Sequence, residues 1–134
     1  MSEKQYQVDP VTVEVVGNLM LSIAEETCLS IIKSAYSTNI KERRDVSAAV
    51  VGPEGDLVAQ ADYLPIHLNA FLTFIPYIYN HFDRSSIMPG DMFIGNDPYH
   101  GGGNHRGGKE HFLFQKFHIF AIITYSSSCW YFSI

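Results

Sequence analysis

One uninterrupted helical pattern, running from Asp9 to Tyr36, constrains this fold more than any other feature of the sequence. Asp9 can accept hydrogen bonds from the first turn, and Pro10 suits the first helical position, where its missing N–H costs nothing. Apolar residues then recur at helical spacing: Val15, Leu19 and Ile23, followed by Cys28, Ile31, Ile32 and Ala35. Glu14, Asn18, Ser22, Glu25 and Glu26 fall largely on the other side. The spacing predicts one long amphipathic helix over residues 11–36, ended by Ser37-Thr38-Asn39. Such a stripe has to be covered by other elements. A chain of 134 residues supplies at most one domain, or part of one, to cover it.

The elements that follow are short. Val46–Val51 is β-rich, Gly52-Pro53-Glu54-Gly55-Asp56 is a turn, and 57–61 is a second strand. Together they predict a β-hairpin with a five-residue loop. Residues 65–82 are apolar and aromatic and predict a buried second helix, with Pro76 as a potential break. Met88-Pro89-Gly90-Asp91 is a turn, and 92–95 is a third strand. The predicted class is α+β: a long amino-terminal helix, a β-hairpin, a second helix, and a strand leading into a glycine-rich loop.

Composition excludes some functions. The apolar content of 46% and charged content of 17% describe a globular chain. A net charge of -5 leaves no basic stripe to neutralise phosphates, so no nucleic-acid partner is expected. The polar start Met1–Tyr6 lacks the apolar core of a signal peptide. The apolar run Phe117–Tyr125, read as the longest, contains His118 and is too short to span a bilayer, so no membrane partner is expected. Cys28 and Cys129 form no disulfide framework and no CxxC pair, which fits a reducing, cytoplasmic setting.

Chemistry concentrates in Asn96-Asp97-Pro98-Tyr99-His100-Gly101-Gly102-Gly103-Asn104-His105. An acid-Pro turn and three glycines there deliver imidazoles at a strand end. Asp97, His100 and His105 suit a divalent metal, with Asp45 as a remote carboxylate. In the plainer reading, Asp97-Pro98 caps a turn and the histidines face solvent. His67 stands between apolar residues at a helix start, as a general base or as a structural hydrogen-bonder. Arg43 or Arg44 could grip a substrate anion, or could belong to a solvated mixed-charge loop. The aromatic run Phe71, Phe74, Tyr77, Tyr79 and Phe82 reads as core or subunit interface. Gly103-x-x-x-x-Gly108-Lys109 mimics a phosphate loop, but Glu110 stands where a magnesium-binding hydroxyl belongs, so the match is fortuitous.

Several segments, in order, resemble the hydantoinase B/oxoprolinase family. They are Asp9-Pro10-Val11-Thr12-Val13-Glu14-Val15-Val16, Ile23-Ala24-Glu25-Glu26, and Ala35 through Asp45. Gly55–Gln60, Pro65-Ile66-His67-Leu68, Pro89-Gly90-Asp91 and Asn96–Gly102 continue the likeness. The resemblance covers residues 8–105 and implies the amino-terminal part of a larger fold. It implies ATP-dependent chemistry on cyclic amides or ketones. A hydantoinase A-like partner would handle ATP, and the B-type component would carry zinc or manganese. By the same resemblance Asp45 and His105 are metal ligands. His67 and Asp97 are lesser candidates for the catalytic machinery, orienting either the substrate or the groups around the metal. The family continues from that histidine with Leu-Pro-Asp; here Arg106-Gly107-Gly108 stands instead.

Residues 106–134 form an atypical tail, with the composition of a frame-shifted segment. Residues 112–134 hold eight of the eighteen aromatics and no acidic residue. They read either as one more strand pair or as sequence never selected to fold with what precedes it.

Overall fold

The computed structural model describes residues 8–61, 68–95, 111–116 and 121–126. The first helix, α1, spans Pro10–Ser34. The Asp9 carboxylate accepts from the Thr12 backbone N–H at 3.3 Å, as the sequence predicts. The helix stops two residues short of the predicted Tyr36, because Ala35 turns to extended backbone while its N–H still donates to Ile31. A single turn of helix follows, α2 (Thr38–Lys41), where the sequence suggests only a stop. It exists because Ile40 is buried against Ile31 and Val46, so packing holds a segment of poor intrinsic helicity.

The strands are β1 (Val46–Val51), β2 (Leu57–Gln60), β3 (Met92–Gly95), β4 (His111–Lys116) and β5 (Ala121–Ser126). Between β2 and β3 lies α3 (Leu68–His81), which ends one residue before the predicted limit at 82; its predicted start at 65 falls outside the described residues. Pro76 sits inside α3 without ending it. Its ring removes one backbone donor to the carbonyl of Leu72, a residue exposed enough for water to take that place. The five strands form one antiparallel sheet in the order β2-β1-β5-β4-β3. The tail therefore contributes a strand pair, and that pair occupies the middle of the sheet.

β1 is buried along its whole length, and its two faces meet different partners. Ala48 and Val50 pack with Ala24 and Cys28 of α1. Ala49 and Val51 pack with Phe74, Ile75 and Ile78 of α3. This sandwiching explains why the strand reads as a continuous apolar run rather than an alternating one. Two glycines allow the close fit on the α3 side. Gly55 has φ +89°, and a Cβ there would meet Ile75 at 3.0 Å and Tyr79 at 3.1 Å. At Gly95 a Cβ would lie 2.6 Å from the Phe74 ring. Arg84 fastens the hairpin turn to the end of α3: it donates to Glu54 at 3.2 Å and to the Pro53 carbonyl, and it lies 4.3 Å over the Tyr79 ring.

α1 runs antiparallel to β1, since Ile31 meets Val46 near the strand's start and Ala24 groups with Val50 near its end. It is packed from Met20 onward. Val11, Val15, Leu19 and Ile23 are 65, 53, 55 and 40% exposed. Three of the seven residues in the predicted core stripe thus face away from the sheet.

Candidate functional site at one sheet edge

Asp45 lies immediately before β1 in a tight connection. Its neighbour Arg44 has φ 54°, the one positive value at a non-glycine position among the described residues. That conformation is uncommon for a side chain without local hydrogen-bonding capacity, and it turns the chain sharply into the strand. The Val46 N–H donates to the Arg44 carbonyl at 2.8 Å, and the Asp45 N–H donates to the Asn39 carbonyl at 3.2 Å. The Asn39 side-chain amide donates to Asp45 Oδ2 at 2.6 Å. Asp45 is half-buried, so this pair of bonds fixes both the backbone and the carboxylate. Arg43 and Arg44 are exposed beside it.

Asn39 is the residue of this candidate site that sequence reasoning missed. It reads there as a helix terminator, and six residues separate it from the acid it holds. Its position at the base of α2 makes the contact, and α2 itself has no clear sequence signal.

His67, Asp97, His100 and His105 lie outside the described residues. The connections that carry them, however, are anchored by described strand ends. Val46 pairs with Ser126, and Ser126 pairs with His111. Gly95, the last residue of β3, pairs with Phe112. The Ala61 N–H donates to the Ala48 carbonyl at 3.0 Å, so the chain leaves β2 toward the end where β1 begins. The start of β1, the exit from β2, the end of β3 and the start of β4 therefore share one edge of the sheet. His111 is two strands from Val46, about 10 Å at ordinary strand spacing. Among the described residues no three His, Cys, Asp or Glu side chains cluster as a metal group. His81, at the far end of α3, is exposed and bonds its own helix at the Tyr77 carbonyl, 2.9 Å away.

The hydantoinase B/oxoprolinase family profile matches residues 9–107, most of the chain, and the chain belongs to that family. A 5-oxoprolinase from Dictyostelium discoideum is 36% identical over 96 residues, covering 72% of this chain and 8% of that protein. The 5-oxoprolinase of Saccharomyces cerevisiae is 33% identical over 104 residues, or 76% of this chain and 8% of the relative. 5-Oxoprolinase 1 of Arabidopsis thaliana is 34% identical over 94 residues, 70% of this chain and 7% of its own length. The chain thus spans only a small fraction of the curated relatives it matches. No solved structure matches it. The family match ends before β4, so β4 and β5 lie beyond it.

Proposed function

We propose that this chain is the amino-terminal part of an ATP-dependent cyclic-amide hydrolase of the hydantoinase B/5-oxoprolinase type, with a divalent metal at the sheet edge described above. The supporting observation is the sheet register: it brings the oriented Asp45 to the edge from which the connections bearing His67, Asp97 and His105 depart. Asp45 and His105 are the ligands in this reading, and a carboxylate-imidazole donor set suits zinc or manganese. The half-buried, amide-held Asp45 fits that role, because a ligand fixed by a second group holds its orientation. His67 and Asp97 would position the substrate ring. A metal there would supply a Lewis acid and an activated water. ATP would act through a hydantoinase A-like partner, in a cytoplasmic setting. A ketone carboxylase large subunit is the alternative within the family.

A second reading is an inactive truncated fragment with at most a binding role. It is favoured by the exposed apolar side chains along the first half of α1. Metal analysis of the purified chain separates the two. Stoichiometric zinc or manganese, lost in Asp45→Ala, supports the catalytic reading. A metal-free wild-type chain after growth in supplemented medium rejects it for this chain. Reading the underlying nucleotide sequence in other frames near codon 106 tests the origin of the tail: Leu-Pro-Asp in another frame identifies a frame shift.

A further inference from the structure

The connection from α2 into β1 closes on itself. Asn39 and Asp45 stand at its two ends, and each immediately precedes a buried residue, Ile40 and Val46. Those two buried residues pack in one cluster with Ile31 of α1, so the polar pair stands on a shared apolar footing. The Asp45 N–H donates to the Asn39 carbonyl at 3.2 Å, and that bond closes the loop whatever side chain stands at position 39. The side-chain amide acts on the carboxylate itself, donating to Oδ2 at 2.6 Å, which is short for an amide donor. An unheld aspartate carboxylate swings broadly about its last side-chain bond. A donor on one oxygen stops that swing. An amide suits the task, because it holds the oxygen without cancelling its charge; a lysine or arginine in its place would compete with a bound cation.

We infer that Asn39 is a positioning residue: by setting the direction of the Asp45 carboxylate, its amide raises the affinity of the sheet edge for a divalent cation. The inference rests on the proposed reading of Asp45 as a metal ligand. It adds to that reading a residue that does not touch the metal yet governs how tightly the metal is held. Without the amide, the cation would have to order the acid as it binds. Groups that orient a ligand from behind typically contribute roughly 10–100-fold to metal affinity. The inference also gives the one-turn helix α2 a task. Ile40, 3% exposed, seats the turn on the core, and the turn presents the amide to an acid six residues further on.

Calorimetric titration of the metal-free full chain with zinc(II) and with manganese(II) chloride tests it. Asn39→Leu is close to asparagine in shape, lacks the donor and favours a helix; it should weaken binding roughly 10–100-fold. Asn39→Ala repeats the removal should leucine disturb the fold. Asn39→Gln and Asn39→Ser keep a neutral donor, and at least one of them should recover most of the loss. Urea denaturation of the metal-free variants checks that each is fully folded under the titration conditions. In the metal-free wild type, the side-chain amide resonances of Asn39 should move on Asp45→Ala. Unchanged affinity in both Asn39→Leu and Asn39→Ala, with binding abolished by Asp45→Ala, overturns the inference and leaves Asp45 as a ligand. A loss that neither donor-bearing variant reverses overturns it as well, because the donor is then not what sets the affinity. A wild-type chain that binds neither metal overturns the reading of Asp45 and the inference together.

Discussion

The two halves of α1 have similar apolar content and different fates. From Ala24 to Ile31 the helix buries its small and branched side chains on β1. From Pro10 to Leu19 it extends about 15 Å past the last contact and leaves valines and a leucine exposed. The contrast teaches that helical periodicity reports a need for burial but not the partner that meets it. A six-residue strand covers only about four turns of an antiparallel helix, and α1 is longer than that.

Placing a charge in each half gives the widest separation. Ala24→Glu buries a carboxylate against Ala48 and Val50 and should cost about 3–5 kcal/mol, enough to unfold a small domain. Leu19→Glu should change monomer stability by less than about 0.5 kcal/mol. Equilibrium urea denaturation measures both, and similar costs would show that the first half is packed in solution. Truncation gives the next largest difference. Ile31→Ala should cost about 2–4 kcal/mol by leaving a cavity beside Ile40 and Val46, while Val15→Ala costs almost nothing in the monomer.

Cys28 sharpens the comparison through pH. Burial pushes its thiol up to about 12 from an ordinary value of 9.0, opposed by a backbone hydrogen bond at Ala48. Its folded pKa is raised, so the stabilisation is full below about pH 9, where both states are protonated. It is lost as pH climbs toward 12, because the unfolded chain ionises first. The expected slope is about 1 kcal/mol per pH unit above pH 9, absent in Cys28→Ala. Thiol reagents at pH 8 should leave Cys28 untouched until urea is added. The smallest effect belongs to the helix cap. Asp9→Ala removes the hydrogen bond to Thr12, worth about 1 kcal/mol locally. Because the first turns open independently of the core, global stability should hold. Amide exchange should accelerate only before about Leu19, and a global loss would join the two halves into one cooperative unit.

Local chemistry was legible wherever the cause is local. The Asp9 cap, the strand at Val46–Val51, the turn at 52–56 and the strand at 92–95 follow from capping, β-propensity and turn residues. α2 was not legible, because Ile40 is helical only through contacts with Ile31 and Val46. The same holds for the Asn39–Asp45 pair, which exists because α2 places the amide beside the acid. Asp45 itself was singled out by residue type and by resemblance, and its candidate partners fall outside the described residues.

By itself, the sequence determined the two long helices and the strands β1, β2 and β3, and where most of them end, because caps, turns and side-chain periods act within a few residues. It also determined family membership, which rests on residues 9–107. Tertiary structure decided that β1 is covered on both faces, and that β4 and β5 complete the sheet between β1 and β3. It also decided that half of α1 stays bare. Those outcomes turn on how far one element extends over another, and no local period along a chain encodes that length.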